Sequence, residues 1–191
     1  MGKYSKAKMF NSKAARRQSK ADEILKALDI QPGQKIADLG SGGGFFTLLF
    51  SQLVGRNGTV YALDTNQDLL EFITTQTTKQ GLTNITTVQI TEPSLLLPSH
   101  SIDLFFVRNV YHHLQDRTRY FSELQHLLTT QGRIAIIEYA PQGSRLSFHR
   151  RCGHNVPKEI IIEEMSNAGY EVSVSFDFLP VQSFTVFTPK R

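Results

Sequence analysis

The stretch Asp38-Leu39-Gly40-Ser41-Gly42-Gly43-Gly44 follows a short apolar run, Lys35–Leu39, and opens a helical pattern that continues through Val54 and is apolar on most faces. Glycines at such a junction allow positive φ in a tight turn and let a ligand approach the backbone. The helix behind them offers free N–H groups and the positive end of its dipole. The placement describes a nucleotide-type cradle between a strand and a buried helix. A dinucleotide fingerprint would need glycine at position 45, where the sequence has Phe45, and a P-loop would need Gly-Lys-Ser/Thr, which is absent. The spacing instead reads D-x-G-x-G-x-G. Asp64 ends the next predicted strand, 24 residues after Gly40, where a carboxylate accepts both hydroxyls of a ribose. Asp64 could also cap the helix that follows, a role open equally to Thr65 and Asn66.

Working outward, the pattern alternates. Ser19-Lys20-Ala21-Asp22 reads as a capping box ahead of Ile24, Leu25 and Leu28 at helical spacing. Thr59–Leu63 is the second predicted strand and 66–80 a helix, followed by strands over Ile85–Ile90 and Ile102–Val107. Asp116–Leu128 carries Tyr120, Phe121, Leu124, Leu127 and Leu128 at helical spacing, and Arg133–Tyr139 is the fifth strand. Alternation with near-continuous apolar strands predicts a doubly wound α/β domain, its mostly parallel sheet covered by helices on both faces. The end differs. A helix over Val156–Ala168 is followed by two β-rich runs, Glu171–Phe176 and Val181–Thr188, whose short connection permits only antiparallel pairing. Seven strands are thus expected, the last two a C-terminal hairpin.

The chain has 191 residues, 40% apolar and 20% charged, the composition of one soluble globular domain. The net charge of +4 is unevenly placed. Lys3, Lys6, Lys8, Lys13, Arg16, Arg17 and Lys20 stand in the first 20 residues with no acid, which leaves 14 bases against 17 acids in the remainder. We therefore divide the chain into a basic segment, 1–18, and a mildly acidic domain, 19–191. The lone Cys152 excludes an internal disulfide and fits a reducing cytoplasm. No apolar run approaches the ~18 residues of a spanning helix. The acid-poor leader also has the composition of an organellar transit segment. No metal site is expected, because His112 and His113 lack the i, i+4 spacing of helical ligands and the His149, Cys152, His154 cluster lacks a fourth ligand.

From residue 20 to residue 190 the chain resembles the class I S-adenosylmethionine-dependent methyltransferases, a Rossmann-like fold. The resemblance rests on the D-x-G-x-G-x-G loop, on Asp64, and on Ser101-Ile-Asp-Leu-Phe-Phe-Val-Arg-Asn-Val-Tyr-His-His-Leu114. The last segment looks like the fourth strand and following loop of the small-molecule branch. The resemblance implies S-adenosylmethionine as cofactor. Asp38, Gly40, Ser41, Gly42 and Gly44 would wrap its methionine part, Asp64 would hold the ribose, and Thr65 and Asn66 would lie beside the adenine. Glu92 is the acid nearest the position that receives the adenine amino group, one residue off the commonest spacing. Asn109 would border cofactor and acceptor.

Methyl transfer from a sulfonium needs an in-line approach, so the protein chiefly supplies positioning and exclusion of water. For a hydroxyl or amine acceptor the candidate bases are His113, His112, Tyr111 and His149, in that order. The histidine pair reads equally as packing at a helix start, and Tyr111 as a pocket wall. Missing motifs for amino methylation of nucleic acids, cytosine C5 chemistry and arsenite leave a small-molecule acceptor as the expected partner. Two alternatives stand beside it. One is RNA, bound by the basic leader. The other is a protein that binds cofactor without transferring a methyl group. In related enzymes a segment ahead of the core folds over the occupied site, and Phe10, Arg16 and Arg17 are placed to do so here. The sequence leaves the oligomeric state open.

Overall fold

The computed structural model describes residues 2–91, 95–140 and 155–190. Seven strands form one sheet in the order β3-β2-β1-β4-β5-β7-β6. They are β1 Lys35–Leu39, β2 Thr59–Asp64, β3 Ile85–Gln89, β4 Ile102–Arg108, β5 Leu128–Tyr139, β6 Tyr170–Phe176 and β7 Gln182–Pro189. The first five pair in parallel, whereas β7 runs antiparallel to both β5 and β6. The direction of winding reverses between β1 and β4. In open α/β sheets the crevice at such a reversal, beyond the carboxyl ends of the strands, is where ligands sit.

The helices are α1 Ser5–Ala14, α2 Ala21–Leu28, α3 Phe45–Val54, α4 Gln67–Gln80, α5 Arg117–Leu124 and α6 Lys158–Asn167. Among the described residues, no helix is long and apolar enough to cross a membrane. The ends of α4 show local chemistry setting length. The Asn66 side chain accepts from the Asp68 N–H at its start, and Gly81 takes the left-handed conformation at its end. Of the three candidate caps, Asn66 therefore fills the role.

Two expectations need correction. Residues 19–22 form no capping box: Lys20 at φ +49 precedes α2 without a side-chain cap, and the Ser19 hydroxyl donates to the Lys13 carbonyl instead. The helix after the histidine pair is shorter than 116–128. It ends at Leu124, passes through a 3₁₀ turn over Gln125–Leu127, and β5 begins at Leu128. The apolar residues that extended the helical pattern, Leu127 and Leu128, are buried by that turn and by the start of the strand. The leader carries α1 and a 3₁₀ turn over Arg17–Ser19.

The core lies on both faces of the sheet. One side gathers Leu39, Phe105, Val107, Tyr111, Phe121, Ile136, Ile161 and Met165 beneath α5 and α6. The other gathers Ile24, Leu28, Ile36, Phe46, Phe50, Leu104, Phe106 and Phe184 beneath α2 and α3. Alternation along β4 explains the division, because Leu104 and Phe106 face one side and Phe105 and Val107 the other. Phe106 packs against Phe46 in a tilted pair with ring centres 4.9 Å apart and meets Phe50 edge-on at 5.0 Å, so one ring of the central strand pins two turns of α3. Phe106→Ala is expected to lower the unfolding free energy by about 3–5 kcal/mol. A urea midpoint close to that of the wild type would show that α3 is held by something else.

Candidate active site

The glycine loop is wired to the second strand rather than only to itself. The N–H groups of Gly40 and Ser41 both donate to the Leu63 carbonyl, at 2.8 and 2.9 Å. One carboxylate oxygen of Asp64 accepts from the Gly42 N–H at 3.0 Å, and the other from the Asn66 N–H at 2.9 Å. Each carboxylate oxygen has a further lone pair for a ligand hydroxyl. Gly40, at φ +74, has no room for a β-carbon, because the Val110 side chain fills that space from the loop after β4. Gly43 stands outside the D-x-G-x-G-x-G pattern and has its own reason: the Ala7 carbonyl and Asn11 of α1 press against it, and the Asn11 side-chain amide donates to the Gly43 carbonyl at 2.8 Å. Phe10 lies over Gly42. The leader thus rests on the loop through Phe10 and Asn11.

Beneath the loop, Asp38 is buried and accepts a 2.6 Å hydrogen bond from the Thr47 hydroxyl of α3. Burial pushes its carboxyl up to about 7, the Thr47 bonds oppose that rise, and the charge of Asp64 adds to it. Arg108, the last residue of β4, lies with its guanidinium 5.1 Å from the Phe46 ring centre, and burial lowers its pKa. Two buried polar atoms beside the loop, Ser41 Oγ and Arg108 Nε, have no hydrogen-bond partner among the described residues. Buried polar groups are almost always paired. Orphaned donors beside a cradle whose glycines admit close approach fit a polar ligand such as S-adenosylmethionine.

After β4 the chain turns sharply. Asn109 adopts φ +57, donates its N–H to the Ile137 carbonyl and accepts on its side-chain oxygen from the Gln182 amide. Tyr111, wholly buried, donates its hydroxyl to Glu164 of α6 at 2.7 Å, and the same carboxylate takes a bidentate pair from Arg117. Desolvation, with the Glu164 bond and charge, raises the phenol further from ionisation. The expectation that Tyr111 serves as a base has no support in this placement.

His112 is different. Its ring Nδ1 lies 2.9 Å from Oε2 of Glu138, and its backbone N–H donates to that same oxygen at 3.2 Å. The other Glu138 oxygen accepts from the Tyr139 N–H at 2.8 Å, and Glu138 is fully buried at the end of β5. A carboxylate facing Nδ1 favours the tautomer whose basic lone pair is on Nε2. His113 is exposed, with its ring 4.0 Å from that of His112.

The structure brings Asp38, Gly40, Ser41, Gly42, Gly44, Asp64 and Asn66 to one end of the sheet, with Asn109 and His112 across the reversal. Thr65 adjoins them and receives the Gln89 side-chain amide on its carbonyl. Glu92, His149, Cys152 and His154 lie outside the described residues. Sequence reasoning missed Thr47, Arg108, Glu138 and Asn11. For Glu138 a signal existed: an acid in the run Ile134-Ala135-Ile136-Ile137-Glu138, at the carboxyl end of a buried strand, is out of place unless it is partnered.

A methyltransferase-domain family matches residues 30–171. Among curated relatives, the ubiquinone/menaquinone biosynthesis C-methyltransferase UbiE of Shewanella frigidimarina is 28% identical over 111 residues, which is 58% of this chain and 44% of that protein. The protein-L-isoaspartate O-methyltransferase of Aeropyrum pernix is 35% identical over 78 residues, 41% of this chain and 30% of that protein. The aligned stretch spans less than half the length of either relative. Among solved structures, a SAM-dependent methyltransferase from Aquifex aeolicus superposes with a TM-score of 0.79 at 21% identity, covering 87% of each chain. Because the family match takes in the glycine loop, Asp64 and five of the seven strands, the chain belongs to the S-adenosylmethionine-dependent methyltransferases.

Proposed function

We propose that this protein transfers the methyl group of S-adenosylmethionine to a small-molecule acceptor in the cytoplasm. The observation that carries the reading is the Asp64 carboxylate, tied to the Gly42 amide at the carboxyl end of β2, so that the acid and the glycine cradle form one rigid receptor. When bound, the cofactor supplies an electrophilic methyl group on a sulfonium. Asp64 accepts the ribose hydroxyls, Thr65 and Asn66 border the adenine, and Asp38, Gly40, Ser41, Gly42 and Gly44 enclose the methionyl part. Glu92 is proposed for the adenine amino group. Segment 1–18 covers the loop as a lid through Phe10 and Asn11. Its charge is partly used within the chain, since Lys3 pairs with Glu71 at 2.6 Å, which favours a lid over an RNA contact.

His112 is the proposed general base for a protic acceptor, with Glu138 holding its ring and tautomer, and Asn109 bordering the acceptor. His113 stands next in order, as the exposed neighbour. His112→Ala should lower turnover by about 10²–10⁴-fold and leave cofactor affinity unchanged. Glu138→Gln should lower turnover less, because an amide oxygen can still face the ring. Equal turnover in all three proteins would remove the base.

The reaction itself is tested by calorimetry with S-adenosylhomocysteine and a labelled methyl-transfer screen that sets a metabolite extract against RNA. Asp64→Ala should weaken binding at least tenfold, because it removes a charged acceptor of two hydroxyls. Unchanged affinity would sink the ribose assignment, and transfer only to RNA would overturn the small-molecule reading.

The Asp38 carboxyl also sets a pH dependence in the protein without ligand. Its ordinary value is 3.8 and its folded value about 7, so between these the folded state keeps a proton that the unfolded chain releases. Stability contributed by Asp38 is therefore lost as pH rises from about 4 to about 7, and is constant above. From pH 5 to pH 8 the wild type should lose roughly 2–3 kcal/mol relative to Asp38→Asn, which retains an acceptor for Thr47. Parallel stability curves for the two proteins would contradict this assignment.

A further inference from the structure

Arg108 is the charged group least explained by the fold. It ends β4 one step beyond the Leu39–Val107 pair, which sets it level with Gly40, the first glycine of the loop. It follows Leu104 and Phe106 on the face that packs on α3, the face on which Ile36 and Asp38 lie on β1. Its Nε is buried without a hydrogen-bond partner among the described residues, and its guanidinium rests on the Phe46 ring. Asp38 and Tyr139 act on it through space. Asp38 is near enough to matter, yet its short hydrogen bond comes from Thr47.

A guanidinium and a carboxyl group therefore share one face at the foot of the loop without closing an ion pair among the described residues. Burying an unpaired charge is costly, and the ordinary relief is a direct salt bridge or neutralisation. Neither is complete here, because the aromatic contact with Phe46 compensates only part of the desolvation of a guanidinium. A ligand end that carries both signs would relieve both groups together. An α-amino acid is such an end, and the planar donor fork of arginine matches a carboxylate in shape as well as in charge.

We propose that Arg108 receives the carboxylate of the cofactor's methionyl group, with Asp38 on the side of its ammonium. The assignment rests on the cofactor reading above and adds to it the residue that recognises the amino-acid end. Arg108 thereby distinguishes the intact cofactor from adenosine derivatives that lack that end. Its aromatic support explains why the guanidinium is aligned before the ligand arrives.

Calorimetry on the full chain tests this with three ligands: S-adenosylmethionine, its decarboxylated form, and 5′-methylthioadenosine, which retains only the adenine and ribose side. In the wild type, loss of the carboxylate should weaken binding roughly 10- to 100-fold. In Arg108→Gln that difference should vanish, with 5′-methylthioadenosine bound as well as by the wild type, and Arg108→Lys should fall between. A wild type indifferent to the carboxylate overturns the proposal without any variant. The same penalty in wild type and Arg108→Gln overturns it too, since the carboxylate is then read elsewhere. A parallel loss of 5′-methylthioadenosine affinity would make Arg108 a prop for the loop. Failure of all three ligands to bind the wild type would remove the cofactor reading itself.

Discussion

The carboxylate of Asp64 holds two turns at once. By accepting from Gly42 on one oxygen and Asn66 on the other, it joins the loop before α3 to the start of α4. Both turns leave the sheet at the ends of neighbouring parallel strands, where the backbone amides have no ladder partner. A carboxylate between them satisfies donors that would otherwise need water, and hydrogen bonds to a charged acceptor are about twice as strong as neutral ones. The spacing of the cradle thus follows from the β1–β2 register, in which Leu39 stands opposite Leu63. The receptor is assembled by strand pairing before any ligand contributes.

That frame explains why the leader docks where it does. With Gly42 drawn toward Asp64, the outer surface of the loop is bare backbone, and a helix can approach it as closely as two chains allow. Ala7 supplies the small contact and Asn11 the hydrogen bond, while Phe10, Tyr4 and Phe72 fill the space toward α4. Lys3, paired with Glu71, fastens the outer end. Exposed ion pairs of this kind contribute little to stability. The apolar contacts of Ala7 with Leu69 and Phe72 therefore carry most of the docking.

Much of this was legible in the sequence, and what was hidden has specific causes. The centre of the sheet could be read because β1, β4 and β5 are buried on both faces and give continuous apolar runs, and the cradle because its glycines interrupt the pattern between two such elements. Helix α1 could not, since its buried residues are two alanines, Ala7 and Ala14, which leave no hydrophobic stripe. The capping box at Ser19 failed because tertiary contact took its hydroxyl to Lys13. Arg108 was hidden for a different reason. It is a charged residue at the carboxyl end of an apolar strand, where it resembles the first residue of a solvated loop, and the fold shows its guanidinium resting on Phe46 of α3.

The segment after β4 draws these parts together. Arg108, Asn109, Val110, Tyr111 and His112 each go to a different neighbour: Phe46 of α3, Gln182 of β7, Gly40 of the loop, Glu164 of α6 and Glu138 of β5. Five consecutive residues can diverge this way because Asn109 takes a left-handed conformation and a 3₁₀ turn follows at Tyr111–His113. The consequence is mutual constraint. Val110 can fill the space at Gly40 only while Tyr111 is anchored, and Tyr111 is anchored by a carboxylate that Arg117 holds in a bidentate grip. The positions of His112 on the acceptor side and Arg108 on the cofactor side are therefore coupled through Tyr111 and the half-buried Glu164–Arg117 pair that anchors it.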